Sequence, residues 1–105
     1  MEEIFVSDYI GFEWDAFNET KNWQKHTVTK WECEQVFFNT PLLCYEDVKH
    51  SQEEKRLYVL GQTDEHRYLF VVFTVRNQLI RVISARTMSK KERAFYDQVQ
   101  KNTKI

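Results

Sequence analysis

The run Arg67-Tyr68-Leu69-Phe70-Val71-Val72-Phe73-Thr74-Val75-Arg76-Asn77-Gln78-Leu79-Ile80-Arg81-Val82-Ile83-Ser84-Ala85-Arg86 holds two strand-length apolar segments separated by a short polar connector. β-branched and aromatic residues dominate both segments, as suits pleated, half-buried backbone. Arg67–Val75 is apolar at odd and even positions alike, which predicts a central strand covered on both faces. Leu79–Arg86 alternates differently. Strict alternation puts Arg81 with Leu79, Ile83 and Ala85 on one face, and Arg86 with Ile80, Val82 and Ser84 on the other. A third strand-like segment, Arg56–Gln62, precedes them, joined by the short connector Thr63–His66. Connectors this short predict antiparallel hairpins.

Outward from this core of strands, Leu42–Tyr45 reads as another short strand and Glu46–Glu53 as a polar loop. Tyr9–Glu13 reads as a first strand, and Asp15 as the N-cap of a helix running to about Lys25. Thr29-Lys30-Trp31-Glu32 is a capping box that opens a second helix ending near Phe38. Its buried stripe is Cys33, Val36 and Phe37, and Asn39-Thr40-Pro41 breaks it. A second capping box, Ser89-Lys90-Lys91-Glu92, opens a final helix to about Lys101. The expected order is β-α-α-β-β-β-β-α: an α+β fold whose mostly antiparallel sheet is packed by three helices. Three short helices leave part of such a sheet uncovered, and an open sheet surface is a natural docking place.

The chain has 105 residues, which sets the expectation of one domain spanning 1–105. With 42% hydrophobic residues it is too apolar for a disordered chain. The longest purely apolar run, Tyr68–Phe73, is far short of the about 20 residues of a membrane span. The acidic start Met1-Glu2-Glu3 lacks the features of a signal peptide, so the cytoplasm is the expected compartment. Cys33 and Cys44 have no CxxC spacing, and as cytosolic thiols they are expected to be reduced and packed as small hydrophobes. The net charge is −1 and the pI about 6.3, whereas a basic nucleic-acid-binding domain shows a pI above about 9. That total hides an asymmetry. Residues 1–75 hold 7 Lys and Arg against 14 acids, and residues 76–105 hold 8 against 2. A basic C-terminal third hints at a binding face.

No Gly-rich phosphate loop, GxSxG or HExxH occurs, and His26, His50, His66 and the two cysteines have no zinc-ligand spacing. No metal and no cofactor is therefore expected. Arginine in strands is the salient chemistry: Arg56, Arg76, Arg81 and Arg86 lie in or at the ends of the expected sheet. A half-buried guanidinium needs an anionic partner. Two readings stand. Either Glu13, Asp15, Glu54 and Glu92 pair with these arginines, or the arginines present their forks to phosphate. Lys90, Lys91 and Arg93 follow on the last helix, and Lys25 with His26 closes the first, where cations also suit a helix C-terminus.

Several motifs follow one another in order. Phe12-Glu13-Trp14-Asp15 is followed by Asn22 and Lys25-His26. Val28, Glu32 and Glu34-Gln35-Val36-Phe37 come next, then His50-Ser51 with Glu54 and Arg56. Phe73-Thr74 with Arg76, Ile80-Arg81-Val82-Ile83-Ser84-Ala85-Arg86, and Ser89–Arg93 with Tyr96 complete the series. Taken in this order, these motifs resemble the BrnT family of toxins. The resemblance implies a RelE-like fold and a metal-independent ribonuclease toxin of a type II toxin–antitoxin module that arrests translation. It also implies a ribbon-helix-helix (BrnA-like) antitoxin in a two-plus-two complex, with DNA contacted only through that antitoxin. Two departures occur, Asn18 where the family often has Lys and Thr27 where it often has Gly. Thr27 implies that no glycine left-handed cap ends the first helix.

For RNA cleavage through attack of a 2′-hydroxyl on its own phosphate, the reaction needs cations around the phosphorane and acid–base groups. Arg81 and Arg86 are the leading cations, with Arg56 and Arg76 in support. His50 and His26 are alternative acid–base groups, because imidazole suits proton transfer near neutrality. Lys25 and Lys90 are candidate RNA contacts, and Glu92 and Tyr96 either anchor an arginine or assist proton transfer. The alternative function is a non-catalytic protein-interaction module that uses the uncovered sheet and has lost RNA cleavage.

Overall fold

The structure, a computed structural model, describes residues 9–102, and the acidic start Met1-Glu2-Glu3 lies outside them. The elements are β1 (Gly11–Phe12), α1 (Ala16–His26), α2 (Lys30–Phe38), β2 (Leu43–Glu46), a 3-10 turn (Val48–His50), β3 (Leu57–Gln62), β4 (Tyr68–Arg76), β5 (Leu79–Thr87) and α3 (Lys90–Asn102). The five strands form one sheet in the order β1-β5-β4-β3-β2, antiparallel except where β1 runs parallel to β5. The α+β order expected from sequence holds. The first strand is shorter than expected, because α1 takes over beside β5 as soon as β1 ends.

Local chemistry places the helices. Asp15 accepts the Asn18 backbone N–H (2.9 Å), and the Asn18 side chain accepts that of Asp15 (2.7 Å). Thr29 and Glu32 form the same reciprocal cap on α2, at 3.1 and 2.9 Å. Thr27, which follows α1, takes the left-handed conformation (φ 51°, ψ 43°) despite its branched side chain. The expectation of a different turn there is corrected. Arg67 binds the Thr27 carbonyl at 2.8 Å, and the Thr27 N–H closes onto Trp23, so the surroundings impose what glycine would adopt freely.

β4 is covered along one face and only in part on the other, where its sequence predicts cover on both. One face packs Leu69, Val71 and Phe73 with Val28, Cys33, Val36 and Phe37 from α2 and its approach. Burying one such large side chain stabilises by about 1.5–3 kcal/mol. Gly61 is needed at this contact: a Cβ there would stand 2.6 Å from Val36 Cγ1. Cys33 and Cys44 are buried and not joined in a disulfide, and burial pushes the Cys33 thiol up to about 12. The opposite face is covered only at one end, where α3 sets Tyr96 and Val99 against Leu43, Leu60, Tyr68 and Phe70.

The edge of β5 beyond β1 is closed by side-chain amides. Asn18 Nδ2 donates to the Val82 carbonyl (3.2 Å), and Asn22 Oδ1 accepts the Ala85 N–H (2.9 Å). Both asparagines are buried. They occupy the hydrogen-bonding positions that a longer β1 would fill, so these strand groups are satisfied without a strand.

Candidate functional site

A bulge in β5 organises the site. Val72 of β4 faces Ser84, but Phe73 faces Val82, so Ile83 is an extra residue. Before it, Arg81 faces Thr74; after it, Arg86 faces Phe70. Partners in register share a face, and Phe70, Val72, Thr74 and Arg76 alternate onto one face of β4. Arg76, Arg81 and Arg86 therefore all lie on the face that α3 half covers. The strict alternation expected from sequence, with Arg81 and Arg86 on opposite faces, is overturned by this one inserted residue. Ala85 moves with it into the main core beside Ile80 and Val82. Arg56 precedes Leu57, the partner of Phe73, and so stands alongside Thr74 on the same face.

Three of these arginines are held by acids, all of them from the set Glu13, Asp15, Glu54 and Glu92 named from sequence. Arg76 binds Glu54 with both ends of its fork (2.6 and 2.9 Å). Arg81 Nη2 lies 2.6 Å from Asp15 Oδ2, and its Nη1 lies 3.7 Å from Glu13 Oε1, a buried oxygen without a hydrogen bond. Asp15 is held below the usual carboxylate range, first by the Asn18 backbone N–H and then by Arg81. Arg86 binds Glu92 in bidentate fashion (2.8 and 2.9 Å) and stacks 4.2 Å over the Phe70 ring centre. Among the described residues the Arg56 guanidinium has no hydrogen bond or ion pair. The Arg81 side chain is half-buried and its Asp15 partner more exposed, so phosphate reaches Arg81 by displacing Asp15 from one end of its fork. Arg86, gripped on two sides, is the hardest of the four to recruit.

Arg56 lines a cavity of about 240 Å³ together with His50, Glu54, Thr74 and Ile83. The loop from Asp47 to Arg56 closes on itself there. Ser51 Oγ accepts the Arg56 N–H (2.9 Å) and donates to the Asp47 carbonyl (2.7 Å). The Asp47 carboxylate holds His50 Nδ1 at 3.0 Å, which leaves Nε2 as the nitrogen available to a ligand. Asp47 was not singled out from sequence, although an aspartate three residues before a histidine in a polar loop is a legible signal.

The other sequence candidates lie elsewhere. His26 ends α1, where Arg67 binds its carbonyl at 3.2 Å, and it does not line the Arg56 cavity. Lys25 lies on the exposed side of α1 in a depression with Phe17 and Lys21. Lys90 is exposed at the start of α3. Tyr96 is fully buried: its hydroxyl donates to the Pro41 carbonyl, and burial pushes it up to about 12. A ring with no exposed surface cannot contact RNA, so Tyr96 is a core residue. Among the described residues, no three His, Cys, Asp or Glu side chains gather to hold a metal ion.

Glu92 is an anchor. Its carboxylate takes both Arg86 bonds and also accepts the Ser89 N–H at 2.8 Å. The Arg86 hydrogen bonds, foremost, hold Glu92 below its ordinary value of 4.5. A depressed carboxylate pKa contributes stability that is fully present above the unfolded value and lost as pH falls through the folded one. Glu92→Gln is therefore expected to lower the melting temperature at neutral pH, by the equivalent of about 1 kcal/mol. The gap from wild type should shrink as pH drops below 4.5. Thermal melts across that range check this; a gap independent of pH would refute it.

The protein is thus a small α+β domain with an arginine-rich, half-open sheet face. Residues 14–92 match the model of a family described as the ribonuclease toxin BrnT of type II toxin–antitoxin systems, and the chain belongs to that family. No curated protein matches the chain. The family is one of ribonuclease toxins, and its type II character implies an RNA target and an antitoxin partner.

Proposed function

We propose that this chain is a metal-independent endoribonuclease acting on the open half of the arginine face. The observation that carries the reading is the Arg56 fork, unpaired among the described residues, beside His50 in one cavity, on a chain of the ribonuclease toxin family. The 2′-oxygen forms a bond to its adjacent phosphorus as the bond to the 5′-oxygen breaks. His50 Nε2 takes the 2′-hydroxyl proton, and the leaving oxygen takes a proton from water. Arg56, with Arg81 from the facing row, stabilises the charge that builds on the phosphorane. The products are a 2′,3′-cyclic phosphate and a 5′-hydroxyl.

In cells the activity arrests translation in the cytoplasm. A ribbon-helix-helix antitoxin with acidic and apolar side chains blocks the arginine face, in a two-plus-two complex that contacts DNA through the antitoxin alone. The single domain spans residues 1–105. The test is incubation of the purified chain with RNA in excess EDTA, with analysis of the new ends. Cleavage giving cyclic phosphate ends is expected. Cleavage only after a divalent metal is restored sinks the metal-free step. No cleavage by a folded chain under either condition favours the non-catalytic interaction module.

A further inference from the structure

The proposed reaction uses the Arg56 end of the open face and leaves the other end without a role. There, between α3 and the sheet, runs a groove of about 490 Å³. Tyr45, Tyr58, Phe70, Lys91, Glu92 and Phe95 line it. Its aromatic rings form a continuous ladder. Phe95 and Tyr45 have ring centres 6.5 Å apart, Tyr45 and Tyr58 5.6 Å, and Tyr58 and Phe70 5.1 Å with nearly parallel planes. The Arg86 guanidinium lies over the last ring, 4.2 Å from its centre. Phe95 remains 48% exposed although it lies on the helix that caps this face.

The charge around the groove selects its occupant. Lys91 lines the wall, Arg86 lies over the Phe70 ring, and the lining carboxylate Glu92 is bound by Arg86. Flat apolar surface with the Lys91 ammonium beside it and the Arg56 fork nearby fits a nucleobase attached to a phosphate. Tyr58 and Arg56 are two positions apart on one face, about 7 Å along the backbone. One nucleotide spans that distance. Bases in a duplex are already stacked and paired, so an unpaired strand is required.

We propose that this groove is a stacking subsite for unpaired nucleobases next to the scissile phosphate, so that the chain engages RNA as a single strand. The proposal rests on the ribonuclease reading above and names how that site holds its substrate. Phe95 is the exposed ring of the ladder and the one whose removal leaves the core intact.

The experiment measures fluorescence anisotropy with a 2′-O-methyl single-stranded RNA, which binds but has no 2′-hydroxyl to react. Phe95→Ala is expected to weaken its binding about ten-fold or more, and Phe95→Tyr to keep it. The same strand with abasic sites should bind the wild-type chain about as weakly, and Phe95→Ala should weaken it no further. Equal affinity of wild type and Phe95→Ala for the intact strand would overturn the subsite. So would an equal loss on intact and abasic strands, which would trace the effect to phosphate contacts. Unchanged strand affinity with weakened antitoxin binding would overturn it too and assign the groove to the protein partner. Because the probe cannot be cut, stacking is read independently of cleavage, and failure of the ribonuclease reading shows only in the cleavage assay.

Discussion

Arg56→Ala is expected to slow RNA cleavage by about 10²–10³-fold, the usual cost of removing one preorganised donor from a developing oxyanion. Folding stability should stay within about 1 kcal/mol of wild type, since that guanidinium has no partner among the described residues to leave behind. Arg76→Ala is the matched control. Its fork is filled by Glu54 at 2.6 and 2.9 Å, so phosphate must first displace a bidentate pair to use it. A loss of less than about ten-fold is expected there. Arg86→Ala should lower stability more than either, because it removes both the Glu92 pair and the stack on Phe70. Single-turnover cleavage with a denaturant melt of each variant checks the ranking. Arg56→Ala within about three-fold of wild type, with Arg76→Ala far slower, would move the reacting phosphate to the Glu54 end of the face.

This ranking differs from the one sequence alone supports, and the reason is local. Arginine identity and strand placement were legible, and so were the four acids that pair with three of them. Helix starts were legible for the same reason: Asp15, Thr29 and Ser89 are caps whose partners lie three residues on. The bulge was not. One additional residue between Val82 and Ser84 leaves no mark on an unbroken apolar run, yet it decides which face Arg86 occupies. Nor does periodicity reveal that Arg56 has no ion pair among the described residues, because that depends on where the Asp47–Lys55 loop folds back. The aromatic ladder was hidden in the same way. Tyr45, Tyr58, Phe70 and Phe95 come from three strands and a helix, and only register brings them together. Tyr96 shows the converse error. A tyrosine on an exposed-looking helix invites a functional role, but its hydroxyl is taken by the Pro41 carbonyl.

Asn22→Ala is expected to destabilise the fold by about 2–4 kcal/mol, a large share of the about 5–15 kcal/mol that holds a domain of this size together. The side chain is 2% exposed and donates to the Asn18 carbonyl (3.1 Å) while accepting the Ala85 N–H (2.9 Å). Truncation leaves the strand N–H buried without an acceptor, about 1–3 kcal/mol by itself, and opens a void beside it. Lysine at position 18 could not repeat what Asn18 does, since that amide donates to Glu13 and Val82 and accepts from Asp15 in one turn of chain. The two asparagines fix α1 along β5, and α1 in turn fixes Asp15 against Arg81. Loss of Asn22 should therefore reach the site: the variant is expected to melt about 10 °C or more below wild type. At temperatures where it remains folded, its cleavage should be slower, because Arg81 is less well placed. A denaturant midpoint within about 1 kcal/mol of wild type would show that the β5 edge does not depend on this amide.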